Sequence, residues 1–391
     1  MRTASAVLFV LLVFTCRPTL AQEPASPQST SAAELQAAID KLGDLNYDIR
    51  TAASRVVRRT AAAQAVPALQ RAVAQHADGY VRYRALVLLT GFNDPKTRDV
   101  MLEALKSPND RLRTVAYSFF EHNPERTMTA QLVTALDNER AEFVRPSLVR
   151  ALAALGEEPR VQQTLKAEVG RGEDFFRSVV IEALGDYHAR YAFDAIDAVA
   201  KLDGPLQDDA ALALGKLGDP RALETLAGLQ NSAPRDRQPA IATAICLLGT
   251  NCVAHEGYLV NALRFADTNE GFQPLLRGAA AGLAAIAVSG RADALSALLE
   301  IGTPSKDPTR APVALAVATV ALRNTSLFLP ILEKSARRDQ DLDLVAEGFD
   351  MLEEDLDKER FFAFARRTFW ASPEGSPTRA LMQTLIQKLD F

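Results

Sequence analysis

Arginine is the residue whose placement is most regular in this 391-residue chain. It follows an apolar residue at Ile49-Arg50, Val81-Arg82, Leu112-Arg113, Val144-Arg145 and Phe176-Arg177, at steps of 32, 31, 32 and 32 residues. A guanidinium is permanently charged and offers five donors in a fixed fork. A ladder of them can grip an anionic ligand, or it can tie acids and carbonyls of the neighbouring turns. Asp78 before Arg82 and Asp110 before Arg113 supply local acceptors, which favours the second role. Arg50, Arg82, Arg113, Arg145 and Arg177 are therefore expected to form a structural ladder.

Other reactive residue types are sparse. Histidine occurs only at His76, His122, His188 and His255. The pair His255-Glu256 supplies at most two ligands, short of what a catalytic metal needs, so no metal or other cofactor is expected. Gly-x-Ser-x-Gly, Walker-type glycine loops and Cys-x-x-Cys do not occur, which leaves no catalytic residue to nominate. Glycines between Gly278 and Gly282 fall inside a helical pattern, where small residues allow close helix packing. Cys246 and Cys252 flank the turn Gly249-Thr250-Asn251. The chain reverses between them, so they can form a disulfide; a small buried Cys246 beside a free Cys252 is the alternative.

The elements that position these residues follow from periodicity. The ladder register continues through Leu206-Gln207 and Arg237-Gln238, then Arg277, Arg310, Asp343 and Arg379, to give eleven units. Three residues after the anchor stand Ala53, Ala85, Ala116, Leu148 and Val180. Six after stand Val56, Leu88, Phe119, Ala151 and Ala183. Apolar positions at −1, +3, +6 and +7 make the stripe of a 3.6-residue helical period and exclude strands over this range. Each such helix follows another amphipathic stretch, as at Val66 to Val73. Breakers such as Asn93-Asp94-Pro95 and Gly218-Asp219-Pro220 separate the units. The unit is a helical hairpin, and a hairpin of this size can bury its stripe only against neighbours. The expected architecture is all-α, a right-handed α-solenoid of about eleven helical hairpins.

Val81-Arg82 with Ala85, and Val144-Arg145 with Ala151-Leu152 and Leu155-Gly156, resemble the second helix of HEAT repeats, especially the short bacterial HEAT-like kind. The resemblance covers about residues 34–389 and departs where glutamine or aspartate replaces the anchor arginine. It implies a superhelix whose second helices line the concave face, with an arginine used for packing between repeats. Enzymes resemble this fold too. Deoxyhypusine hydroxylases hold iron with His-Glu pairs in several repeats, phycobilin lyases act inside the cell, and DNA-alkylation glycosylases need a basic concave face.

Residues 1–21 read as a signal peptide: Arg2, an apolar run from Ala4 to Thr15, and Thr19-Leu20-Ala21 at the cleavage site. Bulky Phe14-Thr15 before Cys16 disfavours a lipid anchor. The run is shorter than the roughly 20 residues a spanning helix needs, so no membrane span is expected. Residues 22–32 read as a flexible lead-in and 33–391 as the solenoid. Losing Arg2 and Arg17 with the leader leaves 42 basic against 49 acidic residues, a net of −7, which argues against nucleic acid as a partner. The expected location is outside the cytoplasm, periplasmic or secreted.

With −1, +3, +6 and +7 facing the core, offsets +1, +2 and +5 nominate the concave-face residues Arg55, Tyr83, Arg84, Thr114, Ser118, Ser147 and Arg150. Tyr83 and Arg84 lead, because Tyr and Arg dominate interface energies. The first repeats are rich in arginine between Asp44 and Arg84. Asp339 to Glu359 holds ten acids against Lys358. That polarity suits head-to-tail self-association or a polarised partner. The expected function is a non-enzymatic, exported scaffold binding one or more protein partners; the alternative is a divergent HEAT-like lyase or metal-dependent enzyme.

Overall fold

The computed structural model of the chain describes residues 29–352 and 355–391. The expected signal peptide and most of the lead-in lie outside the described residues. Thr30 and Ser31, read as lead-in, already contact the first hairpins. The Thr30 amide donates to Gln64 Oε1 at 3.1 Å, and Ser31 and Glu34 close a capping box at the first helix.

Twenty-two α-helices among the described residues form eleven hairpins. The first six are α1 (Ala32–Asp40) with α2 (Tyr47–Arg59), α3 (Ala62–Gln75) with α4 (Gly79–Thr90), α5 (Thr97–Ala104) with α6 (Asp110–His122), α7 (Thr129–Asn138) with α8 (Arg145–Ala153), α9 (Pro159–Glu168) with α10 (Asp174–Asp186), and α11 (Phe193–Ala200) with α12 (Gln207–Leu217). The rest are α13 (Ala222–Ser232) with α14 (Gln238–Leu247), α15 (Cys252–Thr268) with α16 (Gln273–Val288), α17 (Ala292–Gly302) with α18 (Arg310–Arg323), α19 (Thr325–Lys334) with α20 (Arg338–Met351), and α21 (Asp355–Ala371) with α22 (Pro377–Lys388). No strand occurs among the described residues. The chain is an all-α solenoid. The two long steps in the repeat, 39 residues before Arg277 and 36 before Arg379, coincide with the two 17-residue first helices α15 and α21.

The anchor stripe is buried as its spacing requires. Val81, Ala85, Leu88 and Leu89, then Val144, Leu148, Ala151 and Leu152, are all at most 1% exposed. Successive second helices pack side by side, and small residues set how closely. A Cβ on Gly348 would strike the Ala314 carbonyl, and one on Gly215 would meet the Ala244 backbone. Gly282 likewise sits against Thr243 and Leu259. Asn93 and Gly218 leave α4 and α12 with φ of 52° and 64°, the left-handed exit that asparagine and glycine tolerate.

The arginine ladder serves the turns. At the end of each first helix the last carbonyls lack helical partners. Arg82 Nε donates to Val73 O at 2.8 Å, Arg113 Nη1 to Ser107 O at 2.8 Å, Arg177 Nε to Val169 O at 2.9 Å and Arg310 Nη1 to Thr303 O at 2.9 Å. Arg50, which follows a short 3-10 turn, donates to Asp44 O at 2.7 Å. Arg145 instead lies over the Phe176 ring at 3.7 Å. Where glutamine replaces arginine the bond persists: Gln207 Nε2 donates to Ala200 O at 3.1 Å and Gln238 Nε2 to Ala233 O at 2.9 Å. At these positions a long side-chain donor serves the turn whether or not it is charged.

Cys246, buried in the core, and Cys252, at the start of α15, are joined as a disulfide with Cα atoms 4.1 Å apart. No single helix among the described residues is long and apolar enough to cross a membrane.

This account of the ladder separates two substitutions of similar size. Arg177→Gln should leave the urea midpoint close to that of the parent chain, whereas Arg177→Leu, which abandons the Val169 carbonyl, should cost about 1–3 kcal/mol. Equal losses in the two variants, followed by circular dichroism, would show that charge rather than donation is what the position needs.

Candidate functional site: the closure junction

The second-helix side of the solenoid is not an open groove. The last hairpins return to the first three, and α21 runs along the inner side in contact with α4, α6 and α18. Leu356, at its start, is buried with the core of the first hairpins. Glu359, only 1% exposed, accepts both Nε and Nη2 of Arg58 on α2, at 2.8 and 2.7 Å. It lies against Gly91, where any Cβ would occupy the position of its carboxylate. The Arg58 guanidinium rests over the Phe362 ring at 5.0 Å, and Phe362 stacks on the buried Phe391 at 4.1 Å. Arg366 donates to the Arg58 carbonyl. Two outer contacts repeat the pattern, Arg55 to Asp390 at 2.5 Å and the Tyr47 hydroxyl to Asp350 at 3.4 Å.

Opposite charge thus meets across the ends of one chain. The basic start and acidic later region, expected to favour association between copies or with a polarised partner, meet within the molecule at the ion pair of Arg58 with Glu359. Not every charge is balanced. Burial and the neighbouring Arg58 hold Arg84 below the ordinary arginine range. Burial pushes Arg366 down to about 10, with Glu359 opposing and Arg58, Arg59 and Arg367 adding to the fall.

On the other side of α21 a cavity of about 670 Å³ opens between the exits of α4 and α6, the end of α18, and α21 itself. His122 Nε2 lies 2.7 Å from Asp357 Oδ1, with Arg323 at 3.8 Å and Arg360 at 3.3 Å from the same carboxylate. Burial alone would raise the Asp357 pKa; the contact with His122, with Arg323 and Arg360 beside it, overcomes this and holds the carboxyl well below the usual aspartate range. The wall is completed by amides of Asn93 and Asn123 and rings of Phe119, Phe361 and Phe364.

Residues 35–119 match a family model described as HEAT repeats. Residues 35–119 are HEAT repeats. No curated protein matches the sequence. Among solved structures, the chain is similar to one from the complex of CpcE and CpcF of phycocyanin lyase from Nostoc sp. PCC7120, at 20% identity and TM-score 0.41, over 66% of this chain and 97% of that one. It is also similar to the karyopherins Kap95p, crystallised with RanGDP, and Kap121p, bound to the extreme C-terminus of the phosphatase Cdc14p. Identities are 12% and 13%, TM-scores 0.37 and 0.33, and the matches span 90% and 93% of this chain but only 54% and 46% of theirs.

The HEAT second helices place the seven nominated concave-face residues differently from the expectation of a free surface. Tyr83 is only 8% exposed, and Arg111 of the next repeat lies over its ring at 5.5 Å. Arg84 is half-buried beside Arg58 and Glu359. Arg55 holds Asp390; Thr114 Oγ1 donates to Asp110 O at 3.1 Å; and Ser118 Oγ reaches Ser147 Oγ of the next repeat at 3.2 Å. The cause is packing: offsets +1 and +2 face the neighbouring second helix, so Val115, Leu344 and Val345 are buried as well. Tyr83 is thus covered by the next repeat and Arg84 is drawn into the closure junction, so neither stands on the free surface expected of the leading ligand contacts. The pair His255-Glu256 is likewise structural in part, since Glu256 is buried and accepts Arg291 Nε at 2.8 Å.

Arg150 belongs to a polar chain across four repeats. It donates to Glu121 of the repeat before at 2.8 Å and to Asp186 of the repeat after at 2.9 Å. Asp186 also accepts Lys216 at 2.6 Å, and the Tyr187 hydroxyl donates to Glu121 at 2.9 Å. Burial would raise the Asp186 pKa, but Lys216 and Arg150 hold it below its ordinary value of 3.8. A carboxylate lowered on folding contributes stability that is complete above its unfolded pKa and vanishes as pH falls through the folded one. Asp186→Asn should therefore cost about 1–3 kcal/mol at pH 7, less than a fully buried pair because both partners keep some solvent. The gap to the parent should begin to narrow as pH falls below about 3.8 and vanish as it passes the lower pKa of the folded carboxyl. A gap in urea midpoint independent of pH between 7 and 3 would assign the loss to packing instead.

Proposed function

We propose that this chain is a non-enzymatic scaffold that works outside the cytoplasm and holds a protein partner at the closure junction. The observation that carries this reading is the contrast between the two sides of α21. On the side of Glu359 and Phe362 the inner surface is filled by the chain itself. On the side of Arg360 and Phe364 the two ends of the solenoid enclose an open cavity that presents arginines, amides and aromatic rings. Such a mixture of anchors suits recognition of a protein segment. The polar chain through Arg150 and the anchor ladder stiffen the repeats around it, which lowers the ordering cost of binding. The leader-like residues 1–21 and the Cys246–Cys252 disulfide support a location in the periplasm or outside the cell.

A second reading, an enzyme of HEAT-like fold, draws on one feature, the His122–Asp357 pair lining the same cavity. A histidine oriented by a carboxylate is a common general base.

The two are separated by incubating the mature chain with an envelope extract, cross-linking, and measuring bound metal by mass spectrometry on the same preparation. A saturable partner whose cross-links fall on hairpins two, three and eleven is expected. Tightly held iron or zinc at one per chain, with no saturable partner, would overturn the scaffold in favour of the enzyme.

A further inference from the structure

The charges that line the cavity are unequally committed. Arg98 is held by Glu125 through two hydrogen bonds of 2.7 and 2.6 Å, and Asp94 accepts the Lys96 amide at 2.9 Å. Asp357 is shared by His122, Arg323 and Arg360. Arg360 keeps half of its side-chain surface in solvent while touching a carboxylate already held by His122 and Arg323. Arg367 is exposed and has no ion pair or hydrogen bond among the described residues. Behind it, Arg58, Arg84 and Arg366 lie around the carboxylate of Glu359, a local positive excess in a chain that is negative as a whole. A cleft walled by protein concentrates that potential.

Arg360, Phe364 and Arg367 stand at i, i+4 and i+7 of α21 and so share one stripe, with Phe364 39% exposed between the two cations. Two helical turns separate the arginine Cα atoms by roughly 10 Å. In an extended peptide of the polyproline II kind, with three residues per turn, side chains three residues apart share one edge and are separated by roughly 9 Å. A guanidinium takes a carboxylate in a two-bond fork, and an exposed ring between two such forks favours an apolar side chain between the acids.

Building on the scaffold reading, we propose that the cavity receives an extended acidic segment of a protein partner, of the form acid, two residues with one apolar, acid. The carboxylates pair with Arg360 and Arg367 and the apolar side chain lies on Phe364. Because the cavity is walled by both ends of the solenoid, it exists only while the ring is closed, and an occupant strengthens closure.

The probe is a fluorescein-labelled peptide Gly-Glu-Leu-Ala-Glu-Gly, followed by anisotropy against the mature chain at low salt. Saturable binding is expected, weakened about tenfold when both glutamates become glutamine and by a similar factor in Arg367→Ala. Arg360→Ala should act alike, and Arg367→Lys should recover part of the loss. Thermal melting of each variant verifies that the solenoid is intact, as expected for exposed residues. Binding that ignores the glutamates or the arginines overturns the proposal, as does displacement by inorganic phosphate at concentrations matching the peptide, which would mark a small-anion site. Partner capture separates this from the broader reading. A partner held equally by the parent chain and the double alanine variant removes the acidic-segment site and leaves the scaffold. Peptide binding that depends on the arginines with no partner captured keeps the site and removes the scaffold.

Discussion

The constraint on which everything else depends is that one hairpin cannot cover its own apolar stripe. Its first helix shields part of the second, and the −1, +3, +6 and +7 residues must find the next hairpin. Stacking then puts second helices side by side, which demands small residues such as Gly215 and Gly348 at the closest approaches. It also leaves the turn between the two helices with unpaired carbonyls. The anchor arginine or glutamine satisfies them from below, so the ladder follows from the stacking and needs no ligand to explain it.

A stack has ends, and the ends are where this chain departs from plain repetition. Among the described residues the first hairpin packs on one neighbouring repeat only, and its stripe residues Ile49 and Val56 are 39% and 41% exposed. The last hairpin does not simply continue the series. Its long first helix turns to the inner side and sets Glu359 into the early repeats. Breaking a pair as buried as Arg58 and Glu359 costs roughly 3–5 kcal/mol, largely because the remaining ion is stranded away from water. Closure therefore gives a one-dimensional array a long-range contact and a cavity that belongs to both ends.

Most of the fold was legible because helical periodicity is a local property. The eleven units, the core residues at each offset and the breakers between units could all be read from spacing. The role of Arg82 and Arg177 was legible too, since only the turn lay within reach. The inner face was not. Counting +1 and +2 as free ignored the neighbouring second helix, which is why Tyr83 proved to be covered and Leu344 buried. Nor does sequence reveal that α21 turns inward. The 36-residue step and the acids from Asp339 to Glu359 both marked that region, but a step length gives no direction, and a charge run reads the same whether its partner is another chain or the far end of its own. His122 and Asp357 are 235 positions apart and carry no shared motif, so only the closed ring brings them together.

Closure itself is the claim most open to direct measurement. Spin labels on cysteines introduced at the exposed Asp48 and Met351 would report the distance between the ends by pulsed electron resonance. A closed ring predicts a short, narrow distribution that broadens and lengthens in Glu359→Ala. Eleven hairpins stacked in an open array at the usual spacing between helices would instead extend on the order of 100 Å. A broad distribution at long distance in the parent chain, unchanged by Glu359→Ala, would contradict the closed ring and the cavity built on it.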